Sequence, residues 1–302
     1  DWIMGIARQI SETFNKGSSL IKLIYINVAV FILIKLIQVF AFLFGFDAGI
    51  STVAVHWLAV PADISTLITR PWSLFTYMFL HESFWHILFN LLWLFVFGKI
   101  FLMYLNEKKL LSVYLVGGLA GAALYILSFN VFPAFQQAVT LSLALGASAS
   151  VMAIVIAISV YVPNFSINLL LLGPVRLKYI AIFTVVLDVL SIPSSNSGGH
   201  IAHLGGALFG YIYITQYRRG RIITKGFDRF MDQIFAMFKP KPKIKVTHKQ
   251  HKPKTDIDYN KEKAKRQERI NQILEKISKK GYDSLTKEEK EILFRAGGGN
   301  SS

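Results

Sequence analysis

Cysteine is absent from this 302-residue chain, and acidic residues are few: 18 Asp and Glu stand against 33 Lys and Arg, a net charge of +15. Without cysteine there is no disulfide, no thiolate zinc site and no cysteine nucleophile. What the chain has in plenty is apolar surface. It is 53% hydrophobic and 14% aromatic, well above the usage of soluble domains. Positive charge is concentrated at one end. Residues 218–302 hold 23 of the 33 Lys and Arg, and residues 1–217 hold 10. That is the pattern of a membrane body followed by a basic, water-facing tail. The basic surplus comes after the last apolar stretch and lacks interleaved aromatics, so no nucleic-acid partner is expected. The chain opens on Asp1 rather than Met, which leaves its natural start open, and no short cleavable signal peptide is expected.

A helix needs about 20 apolar residues to cross a bilayer. Six stretches qualify, at roughly 20–44, 84–105, 110–128, 146–162, 177–193 and 201–217. Each is expected to be helical, because lipid cannot satisfy backbone groups. The intervening loops alternate in charge. Arg8 and Lys16, Lys108 and Lys109, Arg176 and Lys178, and Arg218, Arg219, Arg221 and Lys225 lie on one side. The loop 45–83 carries only Arg70, while 129–145 and 194–200 carry no Lys or Arg. The positive-inside rule then puts both termini in the cytoplasm. The aromatic-rich external loop 45–83 is expected to lie partly in the interface, where Trp and Tyr prefer to sit.

In this topology the second, fourth and sixth spans all start at the outer side. His86, Asn90, Ser148 and His203 fall within about two turns of that end, at 1.5 Å per residue. Polar groups in lipid are costly and need a reason. Ser148 has Gly146, Ala147 and Ala149 around it, which leaves room at a helix N-terminus whose free N–H groups can hold an oxyanion. His203 precedes Gly205, Gly206 and Gly210, a small-residue stripe that lets another helix come close. If that helix is the fourth span, the imidazole can serve as general base and then general acid. His86 and Asn90, one turn apart, can both donate toward a developing negative charge. His81 reads as structural. Asp188 is assigned to a depth nearer the other side, so a Ser-His dyad is expected, with the ring held by packing. Four histidines near one face raise the question of zinc. Glu82 is the sole acidic residue in these motifs and His-Glu-x-x-His is missing, so no metal or other cofactor is expected.

Three motifs occur in order: His81-x4-His86-x3-Asn90, Gly146-Ala147-Ser148-Ala149, and Ala202-His203-x-Gly-Gly-x3-Gly210. Together they resemble the rhomboid family of intramembrane serine proteases over about residues 20–217. The resemblance implies an all-α polytopic membrane protein, a six-transmembrane-helix bundle with a cytoplasmic helical tail. It implies Ser148 as nucleophile, His203 as base, and His86, Asn90 and the backbone at Gly146 and Ser148 as the oxyanion group. His81, Gly206 and Gly210 would be structural. It further implies cleavage of peptide bonds in or beside transmembrane segments, with membrane proteins as substrates and lipids as surroundings. The expected location is a bacterial inner membrane, the site opening to the periplasm. Ala149 stands where the family usually has glycine, Met152 where it often has an aromatic, and Trp72-Ser73 where many members have Trp-Arg. The alternative reading is an inactive relative that only binds membrane proteins.

Residues 1–19 form a cytoplasmic N-terminal segment. After the sixth span, 218–238 read as a basic amphipathic helix, lying on the inner membrane surface or packed on the bundle. Residues 239–260 read as a Lys/Pro-rich linker. Residues 261–296 read as a small helical module. Ile270, Ile273, Leu274 and Ile277 make its apolar face, and Thr286-x-x-Glu289 its capping box. It is too small to be very stable alone and is open to self-association or a partner. It resembles, more weakly than the core does, the module on some Bacteroidetes-type rhomboids. Residues 297–302 read as a flexible tail.

Overall fold

The computed structural model describes residues 2–45, 49–169, 173–238 and 256–297. The chain divides into two compact units, 1–239 and 240–302. In the first unit, α1 (Trp2–Lys16) precedes the long apolar α2 (Ser19–Leu43). The segment that follows holds α3 (Gly49–Leu58), β1 (Val60–Pro61), α4 (Ile64–Thr69) and α5 (Ser73–Thr76). Then come α6 (Phe84–Tyr104), α7 (Glu107–Val131), β2 (Leu143–Ala144) and α8 (Ser148–Tyr161). A hairpin of β3 (Ser166–Leu169) and β4 (Gly173–Arg176) leads to α9 (Leu177–Ser191), α10 (Ser197–Arg218) and α11 (Lys225–Phe238).

A helix thus stands at each of the six apolar stretches. Their starts follow local chemistry. Ser18, Asp63, Ser83 and Asn106 each accept a hydrogen bond from the backbone N–H three residues on, capping α2, α4, α6 and α7. Glu107, in the first turn of α7, also accepts from the backbone and hydroxyl of Ser19 at 2.9 and 3.1 Å, tying two helix starts together. At the far end of α8, Arg218 donates to the carbonyl of Tyr161 at 2.6 Å, satisfying a C-terminal acceptor.

By length and composition α2, α6 and α7 are able to cross a membrane. Large apolar side chains such as Phe42, Leu43, Trp85, Phe183 and Leu190 point outward, as lipid-facing surface should. The centre is α8, whose residues from Ala149 to Ser159 are buried apart from Met152. It is 14 residues long, or about 21 Å, against a hydrocarbon core of about 30 Å. Lying along the layer normal, a helix of that length cannot reach both faces. On the approach to it Ala144 and Ala147 are buried, and β2 pairs antiparallel with β1, Val60 opposite Ala144 and Pro61 opposite Leu143.

Small residues bring the central helices together. A methyl at Gly206 or Gly210 would strike the carbonyl of Ala149 or Ala153. On α7, one at Gly117 would collide with the side chain of Ala153, and one at Gly121 would lie 2.6 Å from that of Ala149. Such backbone-on-backbone contact replaces the hydrophobic drive that lipid does not provide.

Helix α11 is docked on the bundle, which favours the second of its two expected placements. Asp228 accepts from Ser112 at 2.5 Å and Asp232 pairs with Lys108 at 2.6 Å, while Phe227 and Met231 pack on the core. The Lys/Pro-rich stretch lies outside the described residues up to 255. The second unit holds α12 (Asp256–Lys280), which starts five residues before the expected module, and α13 (Lys287–Gly297). Its capping box is formed: Thr286 N–H reaches Glu289 at 2.8 Å, and Glu289 N–H reaches the Thr286 hydroxyl at 3.3 Å. Lys276 braces Glu289 at 2.8 Å, and this ion pair, followed by the cap, holds the Glu289 carboxyl below its ordinary range.

Candidate active site

Ser148 is the first residue of α8, so its N–H lacks an intrahelical partner. The chain enters through Gly146, at φ +123°, a conformation in which side chains are strained. A methyl there would also meet the His86 ring at 2.9 Å and lie 3.6 Å from the Ser148 hydroxyl. The missing side chain lets imidazole and hydroxyl approach. This entry loop is held from two directions. Gly146 N–H donates to the carbonyl of Tyr77 at 2.9 Å, and Ala147 N–H points to His81 Nε2 at 3.5 Å, a weak bond. His81 Nδ1 in turn faces the Phe79 carbonyl at 3.3 Å. Tyr77 is itself anchored, its hydroxyl on the Gly118 carbonyl at 2.5 Å.

One expectation changes here. The Gly146 N–H is committed to Tyr77, so it is not an oxyanion donor; the glycine acts through its conformation and its missing side chain. Among the described residues the N–H of Ser148 has no backbone partner.

A cavity of about 620 Å³ gathers the rest. Ser148, His203, His86, Asn90, Glu82 and Asp188 all reach it, and Trp85, Trp93 and Met152 add apolar wall. Asn90 spends one N–H on the His86 carbonyl at 2.9 Å, leaving the other. Ser148 and His203 line the cavity without a hydrogen bond between them among the described residues.

Asp188 is the main correction. It does not lie toward the far side. His203 Nδ1 is 2.9 Å from its Oδ1, and His200 Nδ1 is 2.8 Å from the same oxygen. A carboxylate only accepts, so both rings carry a proton on Nδ1, and a neutral His203 ring has its lone pair on Nε2, at the opposite edge. The reason is direction. Helix α9 ends close to where α10 begins, so Asp188, three residues short of the α9 end at Ser191, shares the level of the first two turns of α10. The His203 ring is held by a carboxylate as well as by packing, and Asp188 joins Ser148 and His203 as a candidate. Asp188, His200 and His203 are also the one cluster among the described residues able to hold a metal ion.

Ala149, the departure beside Ser148, is 1% exposed. Its methyl is received by Gly121 on α7 and does not reach the cavity. The extra carbon therefore leaves the space over Ser148 open.

The Rhomboid domain family model matches residues 69–220, half of the chain and every residue just described. The chain belongs to the rhomboid family. Its similarity to curated members is moderate. It is 30% identical over 158 residues to RHOMBOID-like protein 12, mitochondrial, of Arabidopsis thaliana, covering 49% of this chain and 47% of that protein. It is 32% identical over 144 residues to presenilin-associated rhomboid-like protein A, mitochondrial, of Danio rerio, covering 45% and 35%. The chain thus spans less than half the length of each. Residues 254–295, the helical unit at the C-terminal end, match a family of unknown function (DUF6576).

Proposed function

We propose that this rhomboid is an intramembrane serine endopeptidase that hydrolyses peptide bonds in or next to transmembrane segments of membrane proteins. The observation that carries it is the cavity shared by Ser148, His203, Asp188, His86 and Asn90. Ser148 Oγ attacks the scissile carbonyl while His203 Nε2 takes its proton, and His203 returns that proton to the leaving amine. Asp188 holds the ring in the tautomer that leaves Nε2 free and stabilises the imidazolium as it forms. The side chains of His86 and Asn90 and the N–H of Ser148 face the developing oxyanion. Water then releases the acyl group by the same steps in reverse. Substrate and imidazole are drawn onto the hydroxyl when the carbonyl binds, since such bonds tighten in the complex. A substrate helix must unwind locally to offer an extended carbonyl, and helix-breaking residues favour that.

The charge alternation supports six crossings with both termini in the cytoplasm and a cavity opening outward. On this reading the setting is a bacterial inner membrane and the opening is periplasmic. The mitochondrial names belong to the curated relatives. The experiment is cleavage of a labelled transmembrane segment by the purified full chain in liposomes. Cleavage that disappears in Ser148→Ala supports the proposal. Equal cleavage by that variant, or binding of substrate with no cleavage by the parent, rejects it and favours a binding-only relative.

A further inference from the structure

We propose that Asp188, His200 and His203 form a site for a divalent transition cation, zinc fitting best, and that its occupation switches the serine off. This rests on the protease reading for its effect, but not for the binding itself. His200 and His203 lie three residues apart on one face of α10, and Asp188 comes from α9. Their ligand atoms all fall within 4.8 Å of one another. Two imidazoles and a carboxylate with a water in the fourth position is a common zinc set. The cavity supplies that open position, since Asp188 and His203 both line it.

The second observation is an orphaned lone pair. Asp188 is 6% exposed, and among the described residues its Oδ2 has no hydrogen-bond partner. A buried carboxylate oxygen left unpaired is costly, and a cation on this cluster would satisfy it. The present contacts of 2.8 and 2.9 Å are hydrogen bonds. Tetrahedral ligands around zinc stand about 3.3 Å apart, so each contact with Asp188 lengthens by only about half an ångström to receive it.

The chemical consequence follows from proton placement. A metal on Nδ1 of His203 displaces the proton held there. In a neutral ring that proton moves to Nε2, the atom that must accept the serine proton. The metal also takes over the Asp188 carboxylate. Bound zinc therefore removes the base and its support in one event, and a chelator restores both.

The test has two arms. In the first, the full-length Ser148→Ala chain in detergent is titrated with zinc against a chromophoric indicator, alongside Ser148→Ala/His200→Ala. The expected result is one zinc bound, with affinity at least about tenfold weaker in the second protein, since even loss of a supporting partner costs about 10- to 100-fold. Ser148→Ala/His200→Gln repeats the comparison with a side chain that still donates to Asp188, and so decides the matter if the alanine variant does not fold. In the second arm, zinc is added to the parent during substrate cleavage. Micromolar zinc should stop turnover, chelator should recover it, and the His200→Gln chain should need at least about tenfold more zinc. Equal zinc binding by Ser148→Ala and both double variants overturns the site. Undiminished cleavage with zinc bound overturns the switch. A parent that never cleaves rejects the protease reading, while the binding arm still decides the site.

Discussion

His203 Nδ1 meets Asp188 Oδ1 at 2.9 Å across the junction of α9 and α10. In the proposed mechanism that bond leaves Nε2 to take the serine proton. It predicts that Asp188→Asn lowers kcat by about 100- to 10,000-fold with KM little changed, because an amide can donate to Nδ1 and force the proton onto Nε2. Steady-state cleavage rates over a range of substrate densities check it. A loss confined to KM would assign Asp188 to substrate binding.

Asn90 retains one free N–H toward the cavity after its bond to the His86 carbonyl. Asn90→Ala should lower kcat by about 100- to 1000-fold, as expected for a lost oxyanion donor, with the fold retained. Single-turnover cleavage rates measure this apart from substrate entry.

Helix α10 approaches α8 through Gly206, where a side chain would strike the Ala149 carbonyl. Backbone cannot yield as a flexible side chain can. Gly206→Val should destabilise the bundle by about 1–3 kcal/mol or more. Gly226, with nothing within 4 Å of an added methyl, is the control. Thermal unfolding in detergent should show a lowered midpoint for Gly206→Val and none for Gly226→Ala.

Asp63 lies in the segment between α2 and α6, outside the long apolar helices. Its carboxyl is held down to about 2, by the Ser65 hydroxyl first and then by the side chain and N–H of Thr66. A group depressed in the folded state adds stability that is present above its unfolded value near 4 and is lost as pH falls through about 2. The cap on α4 should therefore loosen between about pH 4 and pH 2. Fluorescence of the stacked Trp57–Trp72 pair nearby should change over that window in the parent, and not in Asp63→Asn.

The six apolar stretches and the small-residue stripe were legible in the sequence because lipid permits so few solutions: long helices, and glycine wherever two backbones touch. Ser148, His203, His86 and Asn90 reach one cavity because alternate helices start on the same side. Asp188 was misplaced by the same kind of reasoning applied in the wrong direction. Counted from the end of its helix that leads into α10, it lies at the level of His203. The occupied N–H of Gly146 was hidden for another reason. Its partner, the Tyr77 carbonyl, comes from a segment of short turns with no periodic pattern. The β1–β2 pairing and the β3–β4 hairpin were equally unreadable, since two- and four-residue strands are set by tertiary contact. At Ala149 the sequence showed an extra methyl but not the glycine on α7 that receives it.

The central claim is that the residue 148 hydroxyl is activated by His203. Incubating the folded full chain with a fluorophosphonate, followed by peptide mass mapping, tests it without knowledge of any substrate. One adduct on Ser148, abolished in His203→Ala and strongly slowed in Asp188→Asn, is the expected result. No adduct on Ser148 in the parent, or equal labelling in His203→Ala, would contradict it.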